Sequence, residues 1–256
     1  MAVDADTAAS ALAASWQQFV GAMPGWAKRE GGVLAAMSGV ALANCNGVWA
    51  EQVEPDEDLV AALLNEVATA QLPYCLQLRP GASLALTNLP GGRGMVLDAQ
   101  VPLMVLEGSG ALEAARRVDG LEIRELTPEA VQEHVTIAAS GFGAPEDLMA
   151  QLATPALLRV PGVRCYVGEV DGHPVTTGVG LTLHRFVGIF SIATPPRYRG
   201  QGYAGAVTAR AVADGLSDGA EWAWLQSSPA GYPIYTRLGF KTVERWSSWV
   251  SLAPHG

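Results

Sequence analysis

The segment Ile192-Ala193-Thr194-Pro195-Pro196-Arg197-Tyr198-Arg199-Gly200-Gln201-Gly202-Tyr203-Ala204 constrains the fold more than any other part of the chain. An apolar run, Phe186 to Ala193, stops at two prolines, and an Ala- and Val-rich run begins after Gly202. This pattern predicts a strand, a tight glycine-containing loop and a helix in direct succession. The first amides of a helix have no acceptor within it, and the helix dipole is positive there. Glycines let a phosphate approach the main chain, so the segment predicts a diphosphate cradle with Arg197 and Arg199 adding charge around it.

The spacing Gly200-x-Gly202-x-x-Gly205 also fits the dinucleotide fingerprint. That fingerprint follows its strand directly, inside a βαβ alternation, and an acid ends the next strand. Here Pro195-Pro196-Arg197 intervene, three antiparallel-looking strands come first, and the next strand ends Gln226-Ser227-Ser228. A nucleotide-dependent oxidoreductase is therefore disfavoured.

Upstream of the loop, Leu121 to Leu126 alternates apolar and charged residues, as a half-buried strand does. Thr127-Pro128-Glu129 opens a helix with a hydroxyl, a proline at the first position and an acid. A second short helix is expected near Pro145. Cys165 to Val170, Asp171-Gly172 and Val175 to Leu183 read as a hairpin, with Phe186 to Ala193 its third strand. Downstream lie a helix from Gly202 to about Gly215, a strand Trp222 to Gln226, a short helix Tyr232 to Leu238 and a strand Phe240 to Val250. The order is β-α-α-β-β-β-α-β-α-β.

Over residues 121–250 the sequence resembles the GNAT superfamily of N-acetyltransferases. The family pattern Gln/Arg-x-x-Gly-x-Gly/Ala is met by Arg197, Gly200 and Gly202, and Tyr232-Pro233-Ile234-Tyr235-Thr236-Arg237-Leu238-Gly239-Phe240 resembles the family's Tyr-x-x-Leu-Gly-Phe ending. The resemblance implies an α/β (α+β) fold, a mixed central sheet flanked by helices, and acetyl-CoA as co-substrate. It implies that the pantetheine arm lies between the strands 186–193 and 222–226. Main-chain groups of Ile192, Ala193 and Thr194 would pair with that arm. Arg197 and Arg199, with Gly200, Gln201, Gly202, Tyr203 and Ala204, would hold the pyrophosphate. It further implies direct attack of a neutral amine on the thioester, with Tyr235 as the acid for the departing thiolate. Many relatives carry a basic carboxylate on the strand entering the loop. This strand reads Phe186-Val187-Gly188-Ile189-Phe190-Ser191 and holds none, which leaves His184, Glu221 or a water chain as the base. Phe142 and Asp147 are expected beside the acceptor.

The first half reads as a helix Thr7 to Val20, a strand Val33 to Asn44, a hairpin turn at Asn46-Gly47 into Val48-Trp49, a helix opened by Pro55-Asp56-Glu57-Asp58, and strands Tyr74 to Leu78 and Val101 to Leu106. It echoes the second half faintly: Leu76-Gln77 and Pro80 line up with Leu225-Gln226 and Pro229, and Gly39-Val40-Ala41-Leu42 with Gly178-Val179-Gly180-Leu181. No Arg-x-x-Gly-x-Gly follows Trp49. The expectation is a degenerate GNAT-like domain at 1–110 without a CoA loop, a linker at 111–120 and a catalytic domain at 121–256, resembling tandem GNAT proteins with one silent copy.

Net charge bounds the partners. It is −9, with Lys28 and Lys241 the only lysines. Nucleic acid or an anionic membrane needs clustered cations, so neither is expected; a small-molecule amine suits the acidic balance, with a protein N-terminus as the second acceptor class. Oligomeric state stays open, a homodimer included. Cys45, Cys75 and Cys165 form no Cys-x-x-Cys pair, so no metal site is expected. Asp4 and Asp6 stand where a signal peptide would be basic, and no long apolar span exists, which points to the cytoplasm. The competing class is a non-catalytic acyl-CoA sensor.

Overall fold

The computed structural model describes residues 2–108, 112 and 117–252. In chain order the first half holds α1 (Ala5–Val20), β1 (Trp26–Glu30), β2 (Val33–Met37), β3 (Asn46–Ala50), α2 (Glu57–Ala68), β4 (Tyr74–Leu78), α3 (Leu84–Asn88) and β5 (Val96–Glu107). The second half holds β6 (Leu121–Glu125), α4 (Val131–Phe142), α5 (Glu146–Leu152), α6 (Pro155–Leu158), β7 (Val163–Val170), β8 (His173–Leu183), β9 (Phe186–Ala193), α7 (Tyr203–Ser217), β10 (Trp222–Gln226), α8 (Tyr232–Arg237) and β11 (Lys241–Ser251).

Two compact units result. One takes residues 4–103 with the chain from 242 onward, and the other takes 104–241 with the first few residues. The units therefore do not break at 111–120; one break falls inside β5 and the other at the start of β11. The physical reason is strand pairing. β11 pairs antiparallel with β4, from Ser247↔Leu78 to Ser251↔Tyr74, so the last strand of the chain completes the sheet of the first half. Residues 111 and 113–116 of the expected linker lie outside the described residues.

In the first-half unit the strand order is β1-β2-β3-β4-β11-β5. β1, β2 and β3 are antiparallel neighbours, whereas β3 and β4 are parallel and joined through α2. α2 packs Val60, Leu63, Leu64 and Val67 onto Val33, Ala35, Val48 and Leu76. Each such fully buried side chain contributes about 1.5–3 kcal/mol. One strand here was not expected, and one expectation is corrected. β1 is a strand that Trp26-Ala-Lys-Arg-Glu does not advertise, because it is half-buried or exposed throughout; its turn is Gly31-Gly32, both at positive φ. Asn46-Gly47 is not a hairpin turn. Asn46 is fully buried in β3, where its amide donates to the carbonyls of Val40, Leu42 and Pro73 and its oxygen accepts from Ser38. A Cβ on Gly47 would lie 2.1 Å from the Cys75 carbonyl oxygen, so glycine is required for β4 to approach.

In the second-half unit the order is β5-β10-β9-β8-β7-β6. β6 to β9 form an antiparallel meander, and β9 and β10 are parallel and joined through α7. This is the mixed central sheet expected. α7 covers one face with Val207, Ala211 and Val212 against Val187, Ile189 and Leu225. It packs closely because a glycine lies on each side of the contact: a Cβ on Gly178 of β8 would be 2.8 Å from Val207, and one on Gly215 of α7 would be 2.7 Å from Val187. α4 covers the opposite face, with Val131, Val135 and Ala138 packed on Ala193.

Candidate active site

β9 and β10 pair only through Trp222↔Phe186, Ala223↔Val187 and Trp224↔Gly188. Both strands run on, to Ala193 and Gln226, so they part as a fork toward their C-terminal ends. β9 also bulges there. Thr177 pairs with Ala193 but Val179 with Phe190, so β9 carries an extra residue, and Ser191 adopts φ +50. The paired register between β9 and β10 ends at Trp224↔Gly188. Ile192, Ala193 and Thr194 stand at this fork.

The loop that leaves β9 makes one short turn over Pro196–Tyr198 and then passes Gly200 and Gly202, at φ +82 and +87, into α7. Gly202 is the N-cap of α7 and has no side chain to cap it; no acid sits in the first turn. The amides that open α7 therefore face outward with no side-chain acceptor, and Tyr203 and Ala204 supply two of them. α2, the matching helix of the first half, is different: the Asp56 carboxylate accepts from Leu59 N at 2.9 Å, and Glu57 and Asp58 fill the first turn. Carboxylates already occupy the anion position there.

The two loop arginines have different surroundings. Arg197 is exposed and lies 4.8 Å over the Tyr198 ring, with no ion pair among the described residues. Arg199 donates from Nε to the Thr194 carbonyl at 3.1 Å and from Nη2 to the Gly141 carbonyl at 2.7 Å. Gln201 is exposed at the tip.

α8 brings Tyr235 to the same end of the sheet. A Cβ on Gly205, in the first turn of α7, would be 3.7 Å from Ile234 of α8. Tyr235 is half-buried, its ring edge-on to Phe240 at 6.0 Å, and its hydroxyl has no hydrogen bond among the described residues. Burial pushes its phenol up to about 12. The fork, the α7 N-terminus and Tyr235 thus share one end of the unit. His184 and Glu221 do not. His184 lies in the turn before β9, and Glu221 pairs with Arg185 just before β10. Eight residues of β9 separate them from the loop, about 25 Å of extended chain.

Several neighbours gave no sequence signal. On the fork face away from α7, Phe190 and Trp224 meet edge to face at 5.3 Å over Gly188. The indole Nε1 of Trp224 is buried without a hydrogen-bond partner. His134 of α4 is 3 % exposed, with Nδ1 2.7 Å from Thr177 Oγ1. Thr177 donates its own proton to the Tyr166 carbonyl, so His134 Nδ1 is the donor and Nε2 is unprotonated. Phe142, half exposed, follows Gly141 at the end of α4, and Asp147 is exposed in the first turn of α5. Among the described residues no group of three or more His, Cys, Asp or Glu is placed to hold a metal, and no helix is long and apolar enough to cross a membrane.

A family model described as an acetyltransferase (GNAT) domain matches residues 122–243. The whole chain is similar in fold to a GCN5-related N-acetyltransferase from Kribbella flavida, at 17 % identity and TM-score 0.71, over 97 % of this chain and 96 % of that one. It is similar to a GCN5-related N-acetyltransferase-like protein from Streptococcus suis (12 % identity, TM-score 0.61, 95 % and 98 % covered). It is also similar to a tandem GNAT protein from the clavulanic acid biosynthesis pathway (12 % identity, TM-score 0.58, 88 % and 79 % covered). No curated protein sequence matches the chain. The forked β9 and β10, the glycine loop opening α7 and the family match agree: residues 122–243 of this chain are a GNAT acetyltransferase domain.

Proposed function

We propose that the chain is a cytoplasmic N-acetyltransferase that moves an acetyl group from acetyl-CoA to an amine of a small molecule, at one site in the second-half unit. The observation that carries this reading is the uncapped, acid-free N-terminus of α7 at the mouth of the β9/β10 fork. The amides of Gly200 to Ala204 suit a pyrophosphate, Arg197 forms no ion pair among the described residues and is able to add charge, and Ile192 to Thr194, beyond the paired part of β9, suit the amide-bearing arm. Acetyl-CoA supplies the activated acetyl group.

Tyr235 keeps its proton throughout the neutral range, because burial holds the phenol near 12. It can therefore donate to the departing sulfur. A thiol near 8.5 is the stronger acid, so Tyr235 acts as a hydrogen-bond donor whose proton is restored from the one the amine loses. Tyr235→Phe is expected to lower the rate of thiol release by about 100-fold, with unchanged CoA affinity. Equal rates in the two proteins would remove Tyr235 from the chemistry.

A non-catalytic acyl-CoA sensor is the second reading. It is favoured by the acid-free β9 and by His184 and Glu221 lying at the far end of that strand. Thiol release measured over a panel of small amines and peptide N-termini separates the two readings. Stabilisation by CoA in a thermal melt, without release on any amine, favours the sensor; stabilisation by NAD and not CoA would sink both.

We assign no donor site to the first-half unit, reading it as a degenerate copy. The amides of Glu51 and Gln52, which follow β3, both donate to the Gly32 carbonyl. Arg79, which follows β4, donates to the Glu51 carbonyl at 2.7 Å and fills the matching fork. Calorimetric titration is expected to give one CoA per chain; a stoichiometry of two would overturn this assignment.

A further inference from the structure

We infer that Arg199 is a positioning residue and not a phosphate ligand: it ties the donor loop to the end of α4, so that the loop and the turn after α4 respond as one piece. The inference rests on the donor site proposed above for its consequence, though not for its geometry.

Arg199 is exposed, yet it turns two of its five guanidinium N–H donors inward, onto main-chain carbonyls of the unit. Nε reaches back to the Thr194 carbonyl at 3.1 Å, where the loop leaves β9, and Nη2 reaches the Gly141 carbonyl at 2.7 Å, 58 residues away in the chain. Gly141 lies in the last turn of α4, where carbonyls lack helical partners and the dipole is negative. A guanidinium is favoured there by charge as well as by hydrogen bonding. The Ala139 carbonyl, half a turn earlier, is satisfied within the helix end, since Gly143 and Ala144 both donate to it. The Gly141 carbonyl accepts instead from Arg199.

Thr194 is gripped from two further directions. Thr176 of β8 lies 2.9 Å from the Thr194 hydroxyl and donates to the Ala193 carbonyl at 3.1 Å. Gly141 itself packs against the same two residues: a Cβ there would lie 2.8 Å from Ala193 Cβ and 3.1 Å from Thr194 N. Glycine at 141 and arginine at 199 therefore act together, one permitting the close approach and the other bonding across it. Arg197 makes no comparable contact. It lies over Tyr198 and leaves its donors to solvent. The two arginines of one short loop thus divide the work, Arg197 toward the donor and Arg199 toward the scaffold. Phe142 follows Gly141, so the braced segment continues into the turn that leads to α5.

The full-length chain allows a direct test by backbone hydrogen exchange and CoA titration across a range of salt concentrations. Without ligand, Arg199→Gln should exchange about tenfold faster both at 194–202 and at 140–145, while Arg197→Gln matches wild type. Gly141→Ala, with Arg199 intact, should speed the same two segments. In titration, both arginine variants should bind CoA more weakly. Arg197→Gln should flatten the salt dependence, because a direct ion pair is lost, and Arg199→Gln should keep the wild-type slope. Wild-type exchange at 140–145 in Arg199→Gln or in Gly141→Ala would overturn the brace. So would a salt slope flattened in Arg199→Gln as much as in Arg197→Gln, which would make Arg199 a phosphate ligand. Failure of the wild-type chain to bind CoA would defeat the proposed donor site instead, while the exchange rates still decide the brace.

Discussion

His134 and Tyr235 lie in the same unit, and burial moves their titrations in opposite directions. His134 falls from 6.5 to about 4 because the charged imidazolium is desolvated, while Tyr235 rises to about 12 because the phenolate is. For His134 the folded value is the lower one, so the unfolded chain binds the extra proton between pH 6.5 and 4. Stability is fully present above about 6.5 and is lost as pH falls toward 4, by roughly 3 kcal/mol. His134→Gln should flatten that part of the stability profile measured by chemical denaturation; an unchanged slope would assign the acid sensitivity elsewhere. For Tyr235 the window lies between pH 10 and 12, above any useful assay range. Thiol release should therefore rise with pH as the amine loses its proton and show no falling limb before about pH 11. At this scale the sequence was informative where chemistry is local. Gly200 and Gly202 do take the left-handed conformations that the loop needs. Arg199 was not legible, because its partner carbonyl lies 58 residues away and nothing in a linear pattern distinguishes a brace from a ligand.

The elements reward a comparison between α2 and α7. Both follow the strand that makes a parallel pair, β3 or β9, and both lead to its partner, β4 or β10. They differ at the N-terminus. Asp56 caps α2 with its own carboxylate, and Gly202 leaves α7 open. Asp56→Ala should therefore cost about 1 kcal/mol of stability and leave CoA affinity untouched. A change in affinity would mean that the first half communicates with the donor site or binds the donor itself. Element types and order in the second half were legible because the meander, the glycine loop and the Ala-rich helix each carry a strong local period. In the first half β1 was not, since an exposed strand with three charges carries no alternation. Asn46-Gly47 misled because the same two residues that favour a tight turn also serve a buried amide and a close strand approach.

For the whole molecule, the governing feature is that the closing strand of each half contributes to the other half's unit, β5 by its end and β11 by nearly all its length. The end of β5 lies beside β10 in the second-half unit, and β11 lies between β4 and β5 in the first-half unit. No sequence pattern announces this, because periodicity marks strands and not their distant partners. Arg79 secures the arrangement in the first-half unit. Its side chain is 4 % exposed and pairs with Glu244 of β11, which is 12 % exposed, and with Asp6 at the start of α1. Arg79→Met should destabilise the chain by about 3–5 kcal/mol, since it leaves the Glu244 carboxylate buried without its counter-charge. Combining it with Glu244→Gln should recover part of that loss in the same denaturation assay; a double variant no more stable than the single would show that packing, not charge, is what Arg79 supplies.

The position of β11 also sets an order of assembly on the ribosome. Leu78 is made about 170 residues before Ser247, its partner in the sheet. At about 5–20 residues per second, β4 waits roughly 10–30 s for the strand that will lie against it. During that interval everything from β6 to α8 is made, so the second half has its own elements before β11 exists. The part of the chain that is born first is thus finished last, around a strand slotted into the middle of its sheet. Nascent chains released before residue 242 would expose an unpaired β4 edge, the kind of surface that chaperones hold and aggregation exploits.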